Sequence, residues 1–330
     1  MPPVGPAWEN EGVTVHQSKR ILVTGGAGFI GSHLCDALLA EGHSVTVFDN
    51  LTSGKRSNLG PESPSLAIIE GDVRSLCDRG SEIGEIDVIV HLAALISGYE
   101  SLKSADEYFD VNVSGLLQVI QFAADRGIAR IVFASSSTVY GNRDGSPLAE
   151  DILPEPLTVY ALTKLAGEHL LRMYGALHGF SHCSLRLFNV YGPRQAPDHP
   201  YANVTCKFSH AVANNLPVDL YGDGEQSRDF VYVGDVVTAF LAVLNGSKRA
   251  IYNVGTGRAA RINELISELG AIAGTSLKVR QREPWPNDIR SIRADTSRFE
   301  GEFGWRAEVA LADGLARTVE FFRDGEACRS

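Results

Sequence analysis

The chain has 330 residues, 44% of them hydrophobic and 21% charged, a composition suited to one large α/β domain and a smaller lobe. Its formal net charge of −10, with no Lys/Arg cluster, argues against nucleic-acid binding, which needs a basic footprint. Cys35, Cys77, Cys183, Cys206 and Cys328 form no C-x-x-C pair, and no run approaches the ~18 apolar residues of a membrane span, so the composition points to reduced thiols in a cytoplasmic protein with neither metal site nor membrane anchor.

Residues 1–18 hold Pro, Glu and Asn but no apolar core, and read as an N-terminal tail rather than a signal peptide. Arg20–Thr24 is a short apolar run, as expected for a buried parallel strand. Glycines follow, then a helical pattern with Ile30, Leu34 and Leu38 on one face, closed at Glu41-Gly42. Strands are expected at Val45–Phe48, Leu66–Ile69, Asp87–Val90, Ile131–Phe133 and Ser184–Leu187, and helices over Ala105–Arg126 and Val159–Leu177. This alternation predicts a Rossmann-type, doubly wound parallel sheet. After Asn189 the pattern loosens around Pro193, Pro197 and Pro200, and Tyr221–Gly224 reads as a tight turn. Asp229–Val233 and Ile251–Val254 read as strands able to return to the first sheet, and helices near Arg261–Ala273 and Leu311–Arg323 finish the chain. The expected division is 19–190 with about 229–258 for the Rossmann domain, and 191–228 with 259–330 for a smaller α/β lobe.

Residues 24–31 read Thr-Gly-Gly-Ala-Gly-Phe-Ile-Gly. Gly26, Gly28 and Gly31 satisfy G-x-G-x-x-G, while Gly25, Gly28 and Gly31 fit G-x-x-G-x-x-G. Between a strand and a helix, such glycines permit a tight turn and close approach of a pyrophosphate to the helix N-terminus. Asp49 ends the next strand, ~20 residues on, where a carboxylate binds ribose hydroxyls and favours NAD over NADP. Lys55 and Arg56, close behind it, weigh the other way. Asp72-Val73, after the third strand, suits an adenine contact or a plain turn.

Tyr160 and Lys164 share one face of a predicted helix. A phenol has a pKa of ~10, and a nearby ammonium or nicotinamide cation favours its phenolate, making it a proton acceptor. Ser135-Ser136-Ser137-Thr138 follows a strand directly, on the edge where parallel sheets bind ligands. Either element alone is common: a half-buried Tyr beside a solvated Lys, or a hydroxyl-rich loop. Together, behind a dinucleotide motif, they form a specific set.

With these residues, with Asp49–Arg56, with Arg186–Pro193 and with Gly222–Asp229, the chain resembles the extended short-chain dehydrogenase/reductase family in its nucleotide-sugar epimerase/dehydratase branch, over roughly residues 19–325. The resemblance implies that Ser136, Tyr160 and Lys164 are catalytic. It implies an NAD site built from Gly25, Gly28, Phe29, Ile30, Gly31, Asp49, Asn50, Ser53, Gly54, Asp72, Val73, Leu92, Ala93, Ala94 and Asn112, with Tyr160 and Lys164. It places the substrate against Ser136, Ser137, Thr138, Asn189, Arg194, Arg228, Arg290 and Ile292, Asn189 and Arg228 holding its diphosphate. Asn112 is equally a buried, satisfied amide, and Arg228-Asp229 equally a surface ion pair. Trp285 stands where relatives often have a phosphate-binding Arg, for which Arg290 or Arg293 can substitute.

Within the branch, dehydratases carry Asp-Glu at the two positions that follow the catalytic hydroxyl, and decarboxylases typically keep a Glu. Here the positions are Ser137 and Thr138, neither an acid nor a base near neutrality. The resemblance therefore implies a UDP-hexose 4-epimerase working through a transient 4-keto sugar. A UDP-uronate epimerase or decarboxylase, a nucleotide-sugar dehydratase, a cofactor-releasing reductase and a non-catalytic dinucleotide sensor are the alternatives. His178 and His182 have metal-ligand spacing, but Gly179 between them reads as a helix end. The helix of Tyr160 has more leucines than one core face needs, and the resemblance implies a homodimer through it; the alternative is a fully buried helix in a monomer.

Overall fold

A computed structural model describes residues 18–143, 147–197, 202–284 and 289–327; residues 1–17 of the expected tail, with Trp285 and Cys328, lie outside them. The apolar strand β1 (Arg20–Thr24) turns through glycines into α1 (Phe29–Ala40), which buries Leu34, Cys35 and Leu38 beside Ile21 and Val23. β2 (Ser44–Asp49), β3 (Leu66–Glu70) and β4 (Val88–His91) follow. Two short helices, α2 (Gly98–Ser101) and α3 (Ala105–Phe109), lead through a π turn at Asp110–Ser114 into α4 (Gly115–Asp125). The single helix expected over 105–126 is thus interrupted by a wider turn, which carries Asn112. β5 (Arg130–Ser136), α5 (Val159–His178) and β6 (Ser181–Leu187) complete this half.

The remainder comprises β7 (Asn189–Tyr191), α6 (Val204–Ala213), β8 (Val218–Tyr221), β9 (Ser227–Arg228), β10 (Phe230–Tyr232), α7 (Val233–Val243) and β11 (Ala250–Val254). After these come β12 (Ala260–Arg261), α8 (Ile262–Ala273), β13 (Val279–Arg282), α9 (Ser297–Phe303) and α10 (Leu311–Ala327). Seven parallel strands form a Rossmann-type sheet in the order β11-β6-β5-β4-β1-β2-β3. The winding reverses between β1 and β4, and that reversal opens a crevice at the carboxyl ends of the strands.

Ile251–Val254, within β11, does return to this sheet beside β6. Asp229–Val233 does not: beyond Leu187 the chain steps out of the sheet, and Asn189–Tyr191 offers β10 a separate edge. Among the described residues no helix is long and apolar enough to cross a membrane.

One ion pair lies inside the core. Glu168 of α5 and Arg186 of β6, with side chains 2% and 3% exposed, meet at 2.8 Å, and a second Glu168 oxygen accepts from Ser135 Oγ at 2.6 Å and Arg186 Nε at 2.9 Å. Removing one partner of such a pair leaves the other charge buried and uncompensated. Glu168→Gln is therefore expected to lower stability by about 3–5 kcal/mol, read as a lower urea midpoint with an unchanged slope.

Candidate active site

A cleft of about 560 Å³ opens over the carboxyl ends of the strands. Its floor is the glycine turn. Gly25 has φ +72°, and a Cβ on Gly31 would sit 2.2 Å from the Gly25 carbonyl oxygen, so this tight turn admits no larger residue there. The first amides of a helix have no intrahelical acceptor. Those of α1 come from Phe29, Ile30 and Gly31, all of which line the cleft and offer N–H groups and a positive dipole end to an anion.

Asp49 lines the same cleft. Its Oδ2 accepts from Ala27 N at 2.9 Å and its Oδ1 from Leu51 N at 2.8 Å. Burial pushes its pKa up, against the pull of those two N–H groups. Asn50, Ser53, Asp72, Val73, Leu92, Ala93 and Ala94 line the wall beyond, while Gly54 packs behind it against Ala27 and Asp49. Arg74 holds Asp72 far below the ordinary carboxylate range. Glycine cradle, helix amides and strand-end carboxylate fit a dinucleotide, with pyrophosphate over the turn and ribose at Asp49.

At the other end, Ser136, Tyr160 and Lys164 converge. Thr158 caps α5 by accepting from Ala161 N at 3.2 Å, which sets Tyr160 in the first turn, where the helix dipole favours a phenolate. Ser136 Oγ accepts two bonds, from Thr138 Oγ1 at 2.9 Å and Thr138 N at 3.2 Å. A hydroxyl has one hydrogen. With its lone pairs so used, that hydrogen is left to donate toward Tyr160 or a substrate oxygen. Burial pushes the Tyr160 phenol up to about 12, and the Ser136 bond opposes that rise. Burial also pushes Lys164 down to about 7, and its Nζ donates to the Ala134 carbonyl at 2.9 Å. His91, pushed by burial down to about 3, bonds Thr24 Oγ1 through Nδ1 at 2.7 Å and adds no charge beside Lys164.

Ser137, Thr138 and Asn189 line the cleft as well. Asn112 lies behind it: it accepts from Leu95 N at 2.8 Å and donates to Leu95 O and Thr163 Oγ1, both at 3.0 Å, tying the loop after β4 to α5. Four substrate candidates sit outside the lining. Arg194 pairs with Asp36 at 2.7 Å, Arg290 pairs with Asp223 at 2.9 Å, and Arg228 donates to the carbonyls of Ile289 at 2.6 Å and Ser227 at 2.9 Å. Ile292 is buried with Val139, Tyr140 and Phe188. Asp229 is no surface ion-pair partner; its fully buried carboxylate accepts from Thr256 N, Gly257 N and Ala294 N at 2.8–3.0 Å. His178 ends α5 and His182 lies on β6, and no group of possible metal ligands occurs among the described residues.

Glu107, Tyr108, Phe188, Gln195 and Asn203 also line the cleft; of these, Phe188 falls in the stretch Arg186–Pro193 that carries the resemblance, and the others were not named as site residues. The Tyr108 hydroxyl accepts from Ser97 N at 3.0 Å, one position before α2 begins, a contact between segments that no local pattern marks.

Residues 21–255 match the model of the NAD dependent epimerase/dehydratase family. A UDP-glucose 4-epimerase of Mycolicibacterium smegmatis is 38% identical over 92% of this chain and 99% of its own. A UDP-N-acetyl-alpha-D-glucosaminuronate decarboxylase of Bacillus cytotoxicus is 32% identical over 93% of this chain and 99% of its own. The crystal structure of a Thermus thermophilus UDP-glucose 4-epimerase in complex with NAD superposes with a TM-score of 0.85 at 37% identity, covering 92% and 99% of the two chains.

Opposite charge lowers the pKa of an acid. Bound NAD⁺ is accordingly expected to bring the Tyr160 phenol down from about 12. The check is the phenolate difference absorbance between wild type and Tyr160→Phe, titrated with and without NAD⁺; an unchanged midpoint would place the nicotinamide charge away from this phenol.

Proposed function

As a member of the NAD-dependent epimerase/dehydratase family, this chain is, we propose, a nucleotide-sugar 4-epimerase of the UDP-hexose type. The observation that carries this reading is the sugar end of the cleft, where Ser136, Tyr160 and Lys164 meet while hydroxyls, Ser137 and Thr138, occupy the next two positions. NAD, when bound, supplies hydride acceptance and return at C4. Tyr160 takes the proton of the C4 hydroxyl as the carbon is oxidised to a transient ketone, and gives it back afterwards. Ser136, with its one hydrogen directed by Thr138, holds the C4 oxygen beside Tyr160. Lys164, fixed on the Ala134 carbonyl, keeps two further hydrogens for the cofactor ribose and, when charged, favours the phenolate.

The glycine turn, Asp49 and the wall residues Asn50, Ser53, Asp72, Val73 and Leu92–Ala94 hold the cofactor in this reading, and Asn112 positions the wall. Asn189 takes the substrate diphosphate. For Arg228 to join it, the guanidinium exchanges the carbonyls of Ile289 and Ser227 for phosphate oxygens. Arg194 and Arg290 would similarly have to leave Asp36 and Asp223. Leu162, Met173 and Leu177 are exposed on α5 and support a homodimer through that helix. The unbridged Cys35, Cys77, Cys183 and Cys206 suit a cytoplasmic enzyme. One observation favours a second reading: Glu107 of α3 lines the cleft and is a carboxylate on which a dehydratase could draw.

Proton NMR in D₂O, with NAD⁺ and a panel of UDP- and dTDP-hexoses and uronates, separates the readings. The expected product is the C4 epimer with no solvent deuterium in the ring. Deuterium at C5 or C6, or loss of carboxylate, would assign elimination or decarboxylation instead. Tyr160→Phe is expected to lower kcat by ~10²–10⁴-fold, the usual worth of a general acid–base.

A further inference from the structure

The edge of the sheet opposite the active site holds a second cleft of about 600 Å³. It is lined where strands begin: Lys19 before β1, Asp87 and Val88 at β4, Ala129 and Arg130 at β5, Ser181 at β6, and Arg249 before β11. The loop Leu244–Ser247 after α7 closes one side. β5 spans the seven residues from Arg130 to the catalytic-site Ser136, so the two clefts stand about 20 Å apart at ~3.3 Å per residue.

Cations outnumber acids in this lining, Lys19, Arg130 and Arg249 against Asp87. Lys19, Arg130 and Arg249 form no ion pair among the described residues. The single acid of the lining, Asp87, meets Arg20, which binds its Oδ1 through Nη2 at 2.6 Å and its Oδ2 through Nε at 3.1 Å and also pairs with Glu85. Arg130 is only 5% exposed, yet its guanidinium rests on neutral acceptors alone, the Val243 carbonyl at 2.8 Å, Ser181 Oγ at 3.1 Å and the Lys248 carbonyl at 3.4 Å. Arg249 likewise spends itself on carbonyls, of Gly175 at 2.8 Å and Phe180 at 3.2 Å. The field reaches inward: burial and then Arg249, Arg130 and Arg172 hold the nearby His182 down at about 4.

A buried cation without a counter-charge is costly. Arg130 is such a cation; the half-buried Lys19 and the exposed Arg249 join it around the cleft, a local cluster of positive charge in a chain of net charge −10. Planar guanidinium groups fork onto tetrahedral oxyanions, and an ammonium adds a third donor. We propose that this cleft binds a phosphate group, free or carried on a small metabolite, separately from the cofactor and substrate.

The test uses protein saturated with NAD⁺ and UDP, so that the glycine turn and diphosphate site cannot take the probe. Inorganic phosphate and glycerol 3-phosphate are titrated at constant ionic strength set with sodium chloride, and binding is read by calorimetry and by the rise in Tm. Saturable binding is expected, with the tighter of the two probes identifying the source of the phosphate. Arg130→Gln is expected to weaken it at least tenfold. Because Arg130 also ties down backbone carbonyls, the double variant Lys19→Ala/Arg249→Ala provides a second test on residues outside the core; it is expected to lose affinity by a similar factor while NAD⁺ affinity and turnover stay as in wild type. No saturable binding of either probe, or binding that survives the double substitution, overturns the proposal.

Discussion

The close seating of α5 on β5 is the constraint on which the remaining geometry depends. A Cβ on Gly167 would stand 2.7 Å from the Phe133 ring, so the helix backbone lies nearer the strand than any side chain at that position allows. On either side of this contact, polar groups reach the strand directly. Lys164 bonds the Ala134 carbonyl and Glu168 bonds Ser135. Lys164 and Glu168 are four residues apart on one helix face, matched to adjacent residues of β5. Tyr160, one turn before Lys164, lies beside Ser136, the last residue of the strand.

The same contact takes charge out of water. Lys164 is 4% exposed with a carbonyl as its hydrogen-bond partner, and its pKa falls to about 7, whereas Glu168 meets Arg186 and forms a compensated pair. The contrast assigns different work to the two residues. A compensated pair holds helix to sheet; a cation kept near its titration point can tune a neighbouring phenol. His91, neutral and stacked on Phe133 at 5.9 Å, packs that region without adding a competing positive charge.

The smaller strands do a different job. Stepping out of the main sheet after Leu187, the chain makes a new edge for β10, and Asp229 closes the corner by accepting backbone N–H groups of Thr256, Gly257 and Ala294. The arginines around this corner are each engaged by carboxylates or carbonyls of their own surroundings. In the basal cleft, where strands start, Arg130 and Arg249 rest on carbonyls and a serine hydroxyl, with no carboxylate in ion-pair contact among the described residues. One strand, β5, carries Arg130 at one end and Ser136 at the other.

Much of this was legible along the chain. The apolar runs and glycine turn define a doubly wound sheet because buried parallel strands and a phosphate-binding turn impose local requirements on residue type. Tyr160 and Lys164 were legible for the same reason: four residues on a helix is a fixed displacement. What depended on distant partners was not. Whether Arg228 faces a ligand or the Ile289 carbonyl, whether Asp229 pairs with its neighbour or caps three remote amides, and whether Phe230–Tyr232 rejoins the sheet are settled by segments up to 65 residues away. Asn112 showed both sides: its place near the cleft followed from the resemblance, but its bonds to Leu95 and Thr163 needed the π turn that sequence periodicity concealed. Local pattern determined the elements and their chemistry-bearing faces; tertiary packing alone decided which polar groups keep their hydrogen bonds for a ligand, because a side chain's partners are chosen in space and not along the chain.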